Sequence, residues 1–404
     1  MNAGGEDVLV VGGGPAGLSA ARALVQAGRK PLVLERADAV GAAWRNHYEG
    51  LRLNTGRVLS SLAGEVIPRS AGGWPTREAF VRYLESFPEK GGFPVITGVQ
   101  VERVARDSAQ QGWRVDAADG RRFSAPAVVV ATGGSRVPVI PQWEGASSFA
   151  GRLLHASAFR SPGAFRGLRV LVVGCGNSGA EIASRLVPHA AEVTCSVRTP
   201  PHLLPRSVLG VPMAGWGLVL RHLPAAWADS LMLGLQRVVF GNLAHQGLPL
   251  PRTRLSVKFG ETNVVPTLYE DFARQVRAGR IRIVGEVLRF AGQEAEVEAA
   301  VRGAGALAGA VRLRPDVVVA ATGYRSGLRE LIDVPGLVDA RDRPGVTGGA
   351  EHPLAPGLFF IGQSNPLTGQ LREIRLESNA IAQVLGRAGA VRAASVSSYA
   401  GARA

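Results

Sequence analysis

Only two cysteines, Cys175 and Cys195, occur in the 404 residues, too far apart for a CxxC pair. Their spacing argues against a zinc ribbon or a thioredoxin-type redox centre. Lysine is nearly as scarce: of 46 basic residues only Lys30, Lys90 and Lys258 are lysines, and none follows a glycine as a P-loop requires. HExxH and GxSxG are absent too, so neither a zinc protease nor a serine hydrolase is indicated. Aromatic residues make up 6% of the chain, and the arginines behind the net charge of +14 are scattered. Nucleic-acid binders cluster their cations among aromatics, so small anionic ligands fit this charge better. No apolar run reaches the roughly 18 residues of a membrane span; the most apolar stretch, Leu209 to Ala244, is interrupted by Arg221, His222, Asp229 and Arg237. The first residues carry Glu6 and Asp7 and lack the basic and apolar regions of a secretory signal, so a cytoplasmic protein is expected.

What is present is a globular composition, 46% hydrophobic and 19% charged, with length for two or three domains. Two features each occur twice in the same order. A glycine fingerprint stands at Gly12-Gly-Gly14-Pro15-Ala16-Gly17 and again at Gly174-Cys-Gly176-Asn177-Ser178-Gly179. An apolar run ending in Ala-Thr-Gly stands at 128–133, closing on Thr132 and Gly133, and again at 317–323, closing on Thr322 and Gly323. Each fingerprint lies between a β-branched strand and an apolar-periodic helix, the βαβ setting that the motif requires. The expected fold is therefore α/β, with two Rossmann-like dinucleotide-binding domains. The second is inserted into the first: residues 1–148 and 318–404 against 149–317, the latter with a helical segment at 206–260.

The spacing assigns the ligands. Gly12 permits the tight turn, Gly14 lets backbone approach a pyrophosphate, and Gly17 lets the helix opened by Pro15 and Ala16 pack on the sheet. The N-terminus of that helix offers unpaired amides to the phosphates. Glu35, 23 residues after Gly12 and followed by Arg36, can accept two ribose hydroxyls and would repel a 2′-phosphate, which selects FAD or NAD. The same offset from Gly174 gives Val197, followed by Arg198, and an arginine there can grip a 2′-phosphate, which selects NADPH. Both Thr-Gly pairs, Thr132-Gly133 and Thr322-Gly323, are expected to border the cofactors. Two such sites in one chain suggest hydride transfer from a nicotinamide to a flavin, and without CxxC a disulfide is not the next acceptor.

Residues 149–159, from Phe149 through Gly151 and His155 to Phe159, match the FxGxxxHxxx(Y/F) signature of flavin-containing monooxygenases. The chain resembles class B flavoprotein monooxygenases, and among them it is similar to the YUCCA enzymes and their bacterial relatives. Further matches are Gly41-Ala-Ala-Trp44, Tyr48 with Leu51-Arg-Leu53, His202-Leu-Leu-Pro205-Arg206 and Ala321-Thr-Gly-Tyr324, within a likeness spanning residues 8 to 385. The resemblance implies FAD, NADPH, dioxygen and a small organic substrate. That substrate is oxygenated at nitrogen, sulfur or an activated carbonyl such as a 2-oxo acid, through a C4a-(hydro)peroxyflavin. Phe159 stands where Baeyer–Villiger enzymes carry tryptophan; ketone oxidation and an oxygen-independent reductase are the alternatives. The resemblance further implies that Trp44 borders a cofactor and that Asn54 lies near flavin N5. The turn with Gly362 and Gln363 precedes a helix whose face is Leu371, Ile374, Ser378, Ile381 and Leu385, and that helix would direct its positive end at the flavin pyrimidine. His155 is read as a structural histidine of the interdomain linker.

Overall fold

The computed structural model describes residues 6–107, 112–262, 264–291, 296–302 and 307–400. Val8–Val11 and Pro31–Leu34 are strands buried along their whole length, as strands of a parallel sheet covered on both faces must be. Between them runs the helix Pro15–Gln26, whose proline occupies the first turn, where a missing N–H leaves no bond unmade. Gly28, at φ 75°, ends it. The sheet is all parallel, in the order Leu358–Phe360, Ala127–Val130, Val8–Val11, Pro31–Leu34, Val95–Ile96.

Side chains alternate across this sheet. Val8 and Val10 join a core with Leu18, Leu24, Ile374 and Ile381, supplied by Pro15–Gln26 and the C-terminal helix Gln370–Ala400. Leu9 and Val11 face the other way, against Trp113 and Val115 of an antiparallel sheet made by Val101–Asp107, Gly112–Ala117 and Arg122–Ala125. The expected antiparallel excursion with a turn at Asp119-Gly120 is this sheet.

A second five-stranded parallel sheet repeats the plan, in the order Arg282–Val284, Glu192–Ser196, Arg169–Val173, Val317–Ala320, Arg152–His155. Its fingerprint helix, Asn177–Leu186, buries Ile182, Ala183 and Leu186. Leu171, Val173 and Val318 meet Phe290, Val297 and Leu313 from a second three-stranded antiparallel sheet, Val287–Ala291, Glu296–Arg302 and Leu307–Leu313. Sequence patterning had not indicated that sheet. The expected helical segment contains Met213–Leu220, Ala225–Phe240 and Leu255–Thr262, interrupted at Pro224 as anticipated.

Two compact units result: residues 1–46, 50–137 and 324–404, and residues 47–49 and 138–323. These units differ from the boundaries expected at 148/149 and 317/318 in two places. Phe290 N donates to Glu144 O, and Trp143 and Phe149 rest on the Phe290 ring at 5.6 and 5.0 Å, which draws 138–148 into the second unit. At the return, Val317–Ala320 is hydrogen-bonded between two strands of the second sheet, so the chain leaves that unit only after Gly323. The short excursion 47–49 joins the second unit because Tyr48 packs edge-on to Phe159 at 5.7 Å, beneath the Arg185 guanidinium. Among the described residues no helix is long and apolar enough to cross a membrane, and no three His, Cys, Asp or Glu side chains gather as metal ligands.

Candidate nucleotide-binding sites

Both fingerprints build one turn. Gly12 sits at φ 113° and Gly174 at φ 106°, a region costly to any residue with a Cβ. A Cβ on Gly17 would lie 1.8 Å from Gly12 O, and one on Gly179 would lie 2.0 Å from Gly174 O, so turn and helix are in backbone contact. Gly14 and Gly176 differ from these: a Cβ there would meet nothing within 4 Å. The space over each helix N-terminus is thus a cradle of the kind a pyrophosphate fills.

Hydrogen bonds fix the correspondence beyond the turn. Gly12 N donates to Leu34 O and Gly174 N to Ser196 O, at 2.8 and 2.9 Å. One residue further, Glu35 N donates to Ile96 O and Val197 N to Val284 O, at 2.9 and 3.0 Å. Glu35 and Val197 therefore hold the same place in the two units, as the common offset of 23 residues predicted.

In the first unit, the buried Glu35 carboxylate accepts from Gly13 N at 2.6 Å and Ala37 N at 2.9 Å. It borders a cavity of about 240 Å³ whose lining includes Gly12, Gly14, Arg36, Thr132 and Arg136. Burial, reinforced by the neighbouring Arg36 charge, pulls the Arg136 guanidinium below its ordinary pKa, so the cavity wall carries two crowded cations. Thr132 Oγ1 and Gln363 Nε2 are buried without a hydrogen-bond partner. Orphaned polar atoms of this kind cost roughly 1–3 kcal/mol each unless something polar covers them. Gln363 lies beside the first Ala-Thr-Gly turn, its carbonyl oxygen 3.8 Å from the Cβ position of Gly134. Gly362, at φ 71°, abuts Ala16, and its N–H donates to the buried Glu377 carboxylate at 2.8 Å. Residues read from four separate stretches of chain thus converge: Gly12 to Gly17, Glu35-Arg36, Thr132-Gly133 and Gly362-Gln363. The donor and acceptor set, the open cradle and the two orphans suit a flavin dinucleotide.

Trp44, on the short helix Ala42–Arg45, is turned onto Phe80 with ring centroids 4.6 Å apart and packs on the core. Ala42 and Ala43 of that helix, with Asn46 just past its end, line the cavity. Asn54 is half-buried beside Thr55, whose methyl would meet a Cβ on Gly369 at 2.8 Å, one residue before the C-terminal helix. Sequence reasoning missed Asn46, Arg136 and Glu377. Glu377 was the legible one, because it falls three residues after Ile374 on the apolar face already recognised.

In the second unit Val197 is buried and Arg198 exposed just past the strand end, where the first unit has Glu35 and Arg36. The side chain of Asn177 is engaged within its own unit. Its Nδ2 donates to Pro266 O at 3.0 Å and its Oδ1 accepts from Leu268 N at 2.8 Å, while Thr267 Oγ1 donates to Cys175 O. The side chain clamps residues 266–268 over the turn, and Ser178 beside it is exposed. Thr322 Oγ1 donates to Val139 O, and Gly323 O accepts from Val139 N at 3.1 Å and from His155 Nε2 at 3.0 Å. Because His155 Nδ1 accepts from Ser157 N, the proton of the neutral ring resides on Nε2. Burial holds this imidazole below its ordinary pKa, which fits a structural histidine rather than a proton shuttle.

Residues 9–206 match the profile of a family described as pyridine nucleotide-disulphide oxidoreductase. The chain is 33% identical over 322 residues to indole-3-pyruvate monooxygenase YUCCA1 of Oryza sativa subsp. japonica, covering 79% of this chain and 77% of that protein. It belongs to the flavin monooxygenase family. A probable indole-3-pyruvate monooxygenase, YUCCA3 of Arabidopsis thaliana, is 32% identical over 79% of this chain and 73% of its own. Among solved structures, a flavin-containing monooxygenase from Stenotrophomonas maltophilia superposes with a TM-score of 0.68 at 26% identity, covering 95% of this chain and 98% of that one. Cyclohexanone monooxygenase shares the fold, with a TM-score of 0.70 at 18% identity over 95% of this chain and 88% of that one. This flavin monooxygenase is accordingly an oxidoreductase that depends on a flavin and a pyridine nucleotide, with two Rossmann-like domains, one inserted in the other.

Proposed function

We propose that this flavin monooxygenase holds FAD at Gly12 to Gly17 with Glu35, and NADPH at Gly174 to Gly179 with Arg198. It then places one atom of dioxygen on a small organic substrate, either an activated carbonyl of the 2-oxo acid class or a nitrogen or sulfur centre. The observation that carries the cofactor assignment is the exchange of Glu35 for Val197-Arg198 on otherwise matching turns. The relatives named for indole-3-pyruvate support placing a 2-oxo acid first among the candidate substrates.

Bound FAD would supply the redox chemistry, taking a hydride from the dihydronicotinamide and activating dioxygen at its C4a carbon. The chain's own residues bind and orient. Glu35 anchors its carboxylate on two backbone N–H groups and retains lone pairs for both ribose hydroxyls. Thr132 and Gln363 offer the polar atoms that the fold leaves unpaired. The positive end of Gln370–Ala400 favours an electron-rich ring placed before it, and Asn54, one residue from the Thr55–Gly369 contact, is the side chain assigned to the reacting edge of the flavin. For a 2-oxo acid the balance is R–CO–COOH, O₂, NADPH and H⁺ giving R–COOH, CO₂, H₂O and NADP⁺.

Anaerobic mixing with NADPH, followed by ¹⁸O₂ and a panel of 2-oxo acids, thioethers and amines, tests the proposal by mass. A product carrying one ¹⁸O atom per NADPH consumed is expected. Reoxidation of the reduced protein by a quinone or a protein acceptor, with no label in any organic product, would identify a reductase and overturn the reading.

A further inference from the structure

The helix Ala225–Phe240 is apolar on two opposite faces. Met232, Gln236 and Phe240 are buried, and Met232 shares a core with Leu204, Met213 and Leu255. Trp227, Leu231 and Val238, spaced four and seven residues apart, form a stripe on the other side and are 70, 54 and 85% exposed. Val219 and Leu223, just before this helix in the chain, are exposed as well. A surface helix normally presents polar residues to water, and a run of exposed aliphatic and indole surface marks a place where something docks.

Charge selects the occupant. Between residues 206 and 241 the cationic side chains are Arg206, Arg221 and Arg237, and Asp229 is the only carboxylate. That carboxylate accepts from Ser256 N at 2.9 Å and Ser256 Oγ at 2.6 Å, so it is held against the neighbouring helix Leu255–Thr262. Arg221 and Arg237 are exposed, and no acid of the segment accompanies them. A second copy of the chain, itself at a net charge of +14, would bring the same cations face to face. An anionic lipid surface meets both features at once, apolar side chains entering the acyl boundary and guanidinium groups meeting phosphates.

We propose that this segment seats the enzyme on anionic lipid surfaces as a peripheral, non-spanning element, with Trp227, Leu231 and Val238 inserted and Arg221 and Arg237 at the headgroups. The proposal is independent of the substrate and cofactor assignments. Co-sedimentation of the flavin-loaded enzyme with vesicles tests it, comparing phosphatidylcholine containing phosphatidylglycerol with phosphatidylcholine alone. The protein is expected to pellet with the anionic vesicles and to be released by salt. The exposed-site variant W227S/L231S should keep the wild-type melting midpoint while its partition coefficient falls at least about tenfold. R221E/R237E should lose the preference for anionic over neutral vesicles. Wild-type protein remaining in the supernatant with both vesicle types would overturn the proposal. So would W227S/L231S binding like wild type. Self-association seen by light scattering and abolished in W227S/L231S, without vesicle binding, would assign the stripe to a second copy instead.

Discussion

The first unit leaves Thr132 Oγ1 buried and unpaired, whereas in the second its counterpart Thr322 donates to Val139 O. Gly323 O, at the end of the second Ala-Thr-Gly, is covered twice, by Val139 N and His155 Nε2, and Asn177 is occupied with Pro266 and Leu268. Equal turns thus sit in unequal surroundings: one site is polar-incomplete by itself, the other is satisfied by its own chain. Buried orphans are tolerated where a ligand normally covers them. The contrast fits a flavin retained by the first unit and a nicotinamide nucleotide that comes and goes from the second.

The glycines give the severest test. Gly17→Ala places a Cβ at 1.8 Å from a backbone oxygen, as Gly179→Ala does at 2.0 Å. Each should cost more than about 4 kcal/mol and yield protein that is aggregated or lacks one Rossmann unit by proteolysis. Gly14→Ala clashes with nothing in the fold, so its Cβ intrudes only on the ligand. It should fold with the melting midpoint of flavin-stripped wild type and yet be colourless. A yellow Gly14→Ala protein would mean that the cradle is not where the flavin pyrophosphate lies.

A smaller effect separates the two ribose positions. Removing one charge-assisted contact typically costs about 1.5–3 kcal/mol, so Arg198→Ala should weaken NADPH binding about tenfold or more and leave NADH binding nearly unchanged. Flavin content should not move, because Arg198 and Glu35 belong to different units. Equal losses for NADPH and NADH, measured by anaerobic flavin reduction, would remove the 2′-phosphate role from Arg198.

Much of this was legible in the sequence because the turn is a backbone device. The positions of Gly12, Gly17, Gly174 and Gly179 follow from where a Cβ cannot fit, and Glu35 from a fixed offset. The helix face Leu371, Ile374, Ser378, Ile381, Leu385 is buried at all five positions, since its period alone determines which side meets the sheet. What escaped depends on long-range partners. Whether Thr132 or Thr322 is paired turns on Val139, and whether Asn177 faces a ligand turns on Pro266 and Leu268, some 90 residues on. The compact units divide later in the chain than expected because a short apolar strand such as Val317–Ala320 carries no mark of which sheet it will join. The Trp44 ring meets Phe80 of a different helix, Arg77–Glu85, a contact that no local pattern indicates.

The threonine pair allows a crossed measurement of about 1 kcal/mol in each direction. Thr322→Val strands Val139 O and removes a hydrogen bond internal to the second unit, so it should lower stability while nucleotide affinities hold. Thr132→Val removes an orphan; flavin-free protein should be no less stable, and flavin should dissociate more readily. If both variants behaved alike in stability and in flavin retention, the asymmetry between the two units would have no energetic content.

The smallest effect concerns Glu377, the buried carboxylate beneath Gly362 in the first unit. Burial raises its pKa above the ordinary 4.5, and the nearby Glu373 charge pushes the same way, against the opposing hydrogen bond from Gly362 N. A raised carboxyl pKa means that the folded chain holds this proton more tightly than the unfolded one. Its contribution to stability is therefore present in acid and is lost as pH rises from the unfolded value through the folded one. Glu377→Gln keeps an acceptor for Gly362 N and removes the ionisation. Its melting midpoint should exceed that of wild type at alkaline pH, with the gap narrowing and closing as the solution is acidified. The second unit offers the opposite sign as an internal control. His155, whose pKa is lowered by burial, should make that unit lose stability as pH falls below the ordinary imidazole value of 6.5. A gap between Glu377→Gln and wild type that stays constant from acid to alkali would show that the carboxylate does not ionise between the folded and unfolded states as its burial requires.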